Sequence, residues 1–502
     1  MTDSENYKLK GCTQDGRADM TNFEMDLFDT RMNSYNIDKE ESEECCKNSF
    51  IKPACLPITI VCFFISMVII FPLLNDEGYD TSTKNYERTG VCSDSCKIKL
   101  IESIPTNLTY DKDKIIHSST YNAWNILLSK ATKSIDIAVL YWNLREPNSE
   151  QFPTSINGRN IYDRLKKIGQ EGNVNIRIAQ NLPSKEFPQT DAFDLQKEAN
   201  VKVRSLNFTN LLGSGVLHTK FWIVDQKHIY IGSANMDWKS LTEVKEMGVL
   251  IEDCSCLAHD LHKIFTVYWT LGNPDARIPK RWPIYLRTYF NYENPMILKL
   301  NNVPSTAFFS SSPPEFSPKG RQNDSDAILD VFDGAEKYAK IAVMDYLPTT
   351  LYMSDDKNFF WGDIDYKIRE TIYRGIDVKI LLSKWEHTRN ETMSYMKSLL
   401  DMNNAKIKGK VEVKFFTVPS TKEQKKITYA RVNHNKYMVT DQHALVGTSN
   451  WVGDYFISTA GVSLVIGKDT EDTNEVKGII EELNDVFDRD WDSKYAQPFT
   501  FN

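Results

Sequence analysis

A short motif that occurs twice constrains this 502-residue chain more than any other feature. The first copy is His218-Thr219-Lys220, then Asp225, then Gly232-Ser233-Ala234-Asn235. The second is His434-Asn435-Lys436, then Asp441, then Gly447-Thr448-Ser449-Asn450. The His-to-Lys and Lys-to-Asp steps are equal in the two copies, and the Asp-to-Gly step differs by one residue. A single copy would be a weak signal; two with the same Gly-x-x-Asn tail imply a duplicated unit. The run Leu217–Asp225 is rich in β-formers and predicts a strand, on which His218 and Lys220 share a face, as do His434 and Lys436. An imidazole beside an ammonium repels metal cations but suits a phosphate. The lysine neutralises phosphoryl oxygens while the imidazole attacks or protonates.

Two such pairs predict one composite site at a pseudo-twofold interface. One histidine attacks phosphorus; the other protonates the leaving oxygen and then activates water. Lys220, Lys436, Asn235 and Asn450 would stabilise phosphoryl oxygens, with Ser233 and Thr448 as further phosphate ligands. Asp225 and Asp441 complete the catalytic set by orienting the motif strands. This chemistry requires neither a metal nor another cofactor.

The surrounding sequence repeats as well. In the first half, a helix near Tyr121 to Lys130 leads to a strand at 135–140, then a helix at 161–169 leads to a strand at 174–178. In the second half, 326–338 and 340–344 are followed by 368–373 and 378–382. The strand at 201–204 matches 411–414, the strand at 248–251 matches 461–466, and the helix at 257–269 matches 479–491. This alternation predicts an α/β fold. It sets the halves at 98–290 and 291–502, with the proline-rich 290–320 as crossover.

Before the halves, residues 1–53 are polar and acidic and read as a cytosolic disordered tail. In the tail, Cys45 and Cys46 are either palmitoylated or free thiols. Residues 54–74 are uncharged and long enough to span a bilayer, and 75–97 would form a stalk. Lys47 and Lys52 lie on one side of the span, Asp76 and Glu77 on the other. Four N-x-S/T sequons, at Asn107, Asn207, Asn323 and Asn390, all follow it. So does an even set of cysteines, Cys92, Cys96, Cys254 and Cys256. Together these features predict a type II membrane protein with a lumenal, glycosylated, disulfide-bonded body. Sequence alone leaves three pairings; Cys92–Cys256 with Cys96–Cys254 is the favoured one. The net charge of −8 argues against a broad duplex-binding face, though not against a single strand at a local basic site.

The motifs carry a resemblance. HxKx(4)D followed by GSxN, present twice, resembles the phospholipase D superfamily. The stretches His218–Trp238 and Tyr429–Thr440 are similar to its branch of single-pass endolysosomal 5′-exonucleases. The resemblance covers nearly everything after about residue 90. It implies two α/β/α sandwich halves and a phosphohistidine intermediate. It also implies a route from endoplasmic reticulum and Golgi to late endosome and lysosome, and 5′→3′ cleavage of single-stranded DNA or RNA with 5′-hydroxyl ends. A carboxylate after the first motif, Glu246, resembles the family's partner of the nucleophilic imidazole. Aligning Glu246-Met247-Gly248 with Thr459-Ala460-Gly461 leaves the second half without one, with Glu243 as a competing carboxylate. On that frame His218 is the nucleophile and His434 the acid. Tyr346, Phe360 and Trp361 are candidates to stack bases. Phospholipid hydrolysis or transphosphatidylation and a non-catalytic membrane scaffold are the alternative readings, and a homodimer stays open.

Overall fold

The computed structural model describes residues 86–87, 89–353, 358–469 and 477–500. The expected tail 1–53, the span 54–74 and the first part of the expected stalk lie outside the described residues. Among the described residues no helix is long and apolar enough to cross a membrane.

In the first half the main elements are β1 (Val91–Ser103), α1 (Thr120–Lys130), β2 (Ser134–Val139), α2 (Ile156–Glu171), β3 (Asn175–Asn181) and α3 (Thr190–Glu198). β4 (Lys202–Leu206), β5 (Phe221–Val224), β6 (His228–Gly232), β7 (Glu246–Glu252) and α4 (Ser255–Leu271) complete it. The second half has β8 (Met296–Leu300), β9 (Val303–Ser312), α5 (Asp324–Asp333), β10 (Tyr338–Val343), α6 (Asp363–Arg374), β11 (Asp377–Ser383) and α7 (Asn390–Leu400). It continues with β12 (Val411–Phe416), β13 (Lys436–Thr440), β14 (His443–Gly447), β15 (Gly461–Lys468), α8 (Ile479–Trp491) and β16 (Ala496–Pro498). Local chemistry sets the ends. The Ser119 side chain accepts the Asn122 N–H at the start of α1. α2 and α6 stop at Gly172 and Gly375, whose φ values of 75° and 94° favour glycine.

Each half has the same pairing scheme. β2, β3 and β4 are parallel neighbours, and β2 continues antiparallel to β5, β6 and β7. The second half repeats this with β10, β11 and β12, then β13, β14 and β15. The central strands β2 and β10 are nearly all buried, as expected where helices cover both faces.

The halves are joined by strands. β1 pairs antiparallel with β7 along Lys97–Ser103, and its first residues pair in parallel with β8. β8 forms a hairpin with β9, and β9 pairs with β15. Residues 91–97, expected in the stalk, lie in β1, and the expected crossover 290–320 supplies β8 and β9. The signal was present in Cys96-Lys97-Ile98-Lys99-Leu100, which alternates buried and exposed, and in Met296–Leu300, which does the same.

The favoured cysteine pairing is the one formed: Cys92–Cys256 and Cys96–Cys254. Register explains it. Lys97 lies opposite Glu252, so Cys96 arrives beside the residues that leave β7 for α4. Asp94 adds a cap, its carboxylate accepting the Ser255 N–H at 2.5 Å. Replacing Cys96 and Cys254 together with serine is expected to cost about 2–5 kcal/mol in denaturant unfolding, because the loop closed is long. An unchanged midpoint would refute a stabilising role.

Candidate active site

The motif histidines sit just before the strands expected to carry them. His218 precedes β5 and His434 precedes β13. Each is held instead by backbone from the other half. The His218 N–H donates to the Ala460 carbonyl at 2.9 Å, and the His434 N–H to the Lys245 carbonyl at 2.7 Å. Isolated bridges, Leu217 with Ala460 and Lys245 with Asn433, flank these bonds. The crossing brings both histidines to one cavity of 170 Å³, with Asn235, Asn450, Glu246 and Tyr455 also in its wall. Lys220 and Lys436 are buried, and each ammonium donates to the carbonyl of its own motif histidine, Lys436 at 2.9 Å.

Glu246 is fully buried and its carboxylate meets the Nδ1 of His434 at 2.8 Å. The Ser233 hydroxyl donates to the same oxygen at 2.5 Å. The expected Glu246–His218 pair is therefore not formed. The cause is the crossover: Lys245, next to Glu246, is bridged to the segment of the second histidine. The frame between halves also shifts. Ser233 N–H donates to the Met247 carbonyl and Thr448 N–H to the Val462 carbonyl, so Glu246 corresponds to Gly461 rather than Thr459. At Gly461 a Cβ would fall 2.0 Å from the Ser449 hydroxyl, so this half has no space for a carboxylate. His218 instead has the Thr448 backbone and an edge-on contact with Tyr455, ring centres 4.9 Å apart.

The electrostatics follow from burial and crowding. Burial, then Lys220 and Lys436, hold the His218 imidazolium well below its ordinary range. Burial lowers His434 too, but Glu246 opposes that shift. Burial pulls the Lys436 ammonium down to about 7, against Glu246 and Asp345. Burial would raise Glu246, yet His434, Lys436 and Ser233 outweigh it and keep it ionised. A buried cluster of cationic groups with one facing carboxylate is a site for an oxyanion.

Residues 112–421 match the family model described as "PLD3/4, PLD-like domain". A probable phospholipase D of Caenorhabditis elegans is 44% identical over 97% of this chain and 88% of its own length. A protein of Homo sapiens named 5'-3' exonuclease PLD3 is 42% identical over 82% of both chains. The chain belongs to the phospholipase D superfamily, in its PLD3/4 branch. A phosphatidylserine synthase of Haemophilus influenzae shares the fold at a TM-score of 0.51, covering 84% of this chain and 92% of that one at 11% identity.

Within this phospholipase D fold, several expected site residues have other places. The Asp225 carboxylate accepts the backbone N–H groups of Thr132, Lys133 and Ser134 at 2.7–2.9 Å, away from the cavity. Asp441 does the same for Glu336 and Lys337, both at 3.0 Å. These bonds hold both carboxylates below the usual range despite burial. Ser233 positions Glu246, and Thr448 Oγ1 accepts the Val462 N–H at 3.0 Å. Neither is on the cavity wall. Glu243 pairs with Arg431 at 2.9 Å instead of facing a histidine. Tyr346 is in the core, bonded to Asp365, while Phe360 is exposed and Trp361 stacks on Phe456. None of these three lines the cavity; its aromatics are Tyr141, Phe187, Trp385, Tyr429 and Tyr455. The signal for Tyr141 was its position just past the end of β2, where α/β sites gather. Phe187, Trp385 and Tyr429 come from loops without periodicity, and Tyr455 from the short helix Asp454–Ile457.

Replacing Glu246 with glutamine removes the charge that opposes deprotonation of His434. The His434 imidazole is then expected to titrate at lower pH in an NMR titration, with a smaller change at His218. An equal shift of both rings would contradict the geometry.

Proposed function

We propose that this protein is a phosphodiesterase that removes nucleotides from the 5′ end of single-stranded DNA or RNA, acting on hydroxyl-terminated strands. The observation that carries the chemistry is the pair of buried histidines, one from each half, in a single cavity with Lys220 and Lys436 beside them. The nuclease reading is supported by relatives whose names say 5'-3' exonuclease.

The geometry supports a reversed division of labour. Glu246 holds Nδ1 of His434, which leaves Nε2 to attack phosphorus and form the phosphohistidine. His218 has no carboxylate partner and holds a proton weakly, as suits an acid; an incoming phosphate anion raises its proton affinity. It protonates the departing 5′-oxygen, then takes a proton from the water that breaks the P–N bond. The lysines, Asn235 and Asn450 act on the phosphoryl oxygens.

We also read residues 54–74 as a type II anchor, with 1–53 in the cytosol and the body in the endoplasmic reticulum–Golgi to lysosome lumen. Support comes from the two disulfides and from sequons confined to the body. Asn107 and Asn390 are exposed, whereas Asn207 and Asn323 are half-buried. Glycosidase treatment of the protein from animal cells should lower its mass, with most of the effect lost when Asn107 and Asn390 are replaced. No glycan at all would count against a lumenal body.

The histidine roles are separable by leaving group. His434→Ala should be inactive on every diester. His218→Ala should be slow on an oligonucleotide yet recover on a p-nitrophenyl ester, whose leaving group needs no proton. Recovery of His434→Ala alone would restore His218 as nucleophile. Running phosphatidylcholine beside a 5′-hydroxyl oligonucleotide tests the substrate class: cleavage of the lipid alone would sink the nuclease reading, and turnover of neither would favour a scaffold.

A further inference from the structure

The cavity wall carries a cluster that the phosphoryl-transfer chemistry does not use. Asp237 is 1% exposed, and its carboxylate accepts the Tyr141 hydroxyl at 2.8 Å and the Lys239 backbone N–H at 2.9 Å. The Lys239 ammonium lies 3.3 Å from the same carboxylate and donates to the Thr428 carbonyl at 3.2 Å. Tyr141, Asp237 and Lys239 all face the cavity that holds the two histidines.

The cluster belongs to one half only. Asn143 pairs with Asp237 in the first half, and Leu347 with Val452 in the second, so Val452 stands where Asp237 would repeat. Two residues further on, Lys239 corresponds to Asp454, which is turned away to cap the Leu351 and Tyr352 N–H groups. A pseudo-symmetric phosphate site cannot by itself distinguish the two directions of a phosphodiester chain. A polar cluster in one half only can.

Its charge balance specifies what it takes. The Lys239 cation is matched by Asp237, so the cluster is neutral and has no surplus for an anion. A second phosphate here would meet the Asp237 carboxylate in a buried, low-dielectric cavity, with Glu246 in the same wall. A hydroxyl is different: it can donate to Asp237 and accept from Tyr141 or Lys239, replacing the bonds it loses to water.

We propose that Tyr141, Asp237 and Lys239 form the subsite for the hydroxyl-bearing terminal sugar of the substrate, and that the Asp237 carboxylate excludes a terminal phosphate. This deepens the nuclease reading and rests on it. The subsite makes the enzyme start at a chain end and fixes which end.

The test uses detergent-solubilised full-length protein and two oligonucleotides that differ only in a 5′-hydroxyl or a 5′-phosphate. The readout is the ratio of their kcat/KM values. The wild type should favour the hydroxyl end by at least about tenfold, the lower part of the range that an unsatisfied buried polar group produces. Asp237→Asn should lower that ratio by about tenfold or more. Lys239→Met should raise it, because the carboxylate loses its counter-charge. Far-ultraviolet circular dichroism and the thermal unfolding midpoint report whether each variant is folded. If Asp237→Asn does not fold, Lys239→Met and Tyr141→Phe decide. A ratio unmoved in every folded variant, or moved the same way by Asp237→Asn and Lys239→Met, overturns the subsite. A wild type that cleaves neither oligonucleotide overturns the nuclease reading itself, and the subsite with it.

Discussion

Two backbone hydrogen bonds that cross between the halves hold the site together. Each motif histidine is tied by its own N–H to the strand entry of the opposite half, at Ala460 and at Lys245. Lys245 does this while its ammonium pairs at 2.7 Å with Asp490 of α8, both groups wholly buried. Asp490 in turn meets Arg489, which reaches Glu102 on β1 at 2.7 Å. Buried pairs of this kind gain little net stability, because desolvation consumes most of the attraction, but a misplaced half would leave charges unpaired. The network therefore specifies how the halves meet, and the meeting is what creates the cavity.

A duplicated fold with a strictly symmetric site would give two equal histidines. The chemistry needs unequal ones, a strong nucleophile and a group that gives up its proton readily. The difference comes down to one pair of corresponding positions, Glu246 and Gly461. The carboxylate fixes the tautomer of His434 and balances the charge that grows on it. At the other position, Ser449 and Ser312 fill the space that a side chain would need. With lysines near it and no carboxylate facing it among the described residues, His218 lacks the counter-charge that His434 has.

The motif spacing pointed to both histidines and both asparagines of the cavity wall and to the two buried lysines next to them, although His218, Lys220 and His434 lie just before the strands rather than on them. The α/β alternation and the helix ends were legible for local reasons. What the sequence did not disclose depends on contacts between distant residues. Glu246 and His434 are 188 positions apart, and nothing local to either names the other. Aligning the halves on their glycines placed Gly461 beside Gly248, whereas the hydrogen-bond register pairs it with Glu246. A strand register is set by its partner, not by the residues that happen to repeat. Asp225, by contrast, is placed as its motif position implied, where it orients a motif strand. Its φ of 53° and its bonds to Thr132, Lys133 and Ser134 show that it shapes the turn after β5 and binds the entry to β2.

The charge of the whole chain and the charge of its site have opposite signs, and burial reconciles them. At −8 the protein offers a polyanion no general attraction. Surface charges are screened within about 8 Å at physiological ionic strength, so they act weakly on a phosphate already inside the cavity. The histidines in its wall and the lysines next to them are almost wholly removed from water, and burial is the main cause of the depressed proton affinities of His218 and Lys436. A phosphodiester opposes that depression by supplying negative charge. Binding of an anion and protonation of these groups are therefore coupled. A broad basic surface would hold nucleic acid along its length without this coupling, whereas a cavity with both motif histidines in its wall confines it to one phosphate.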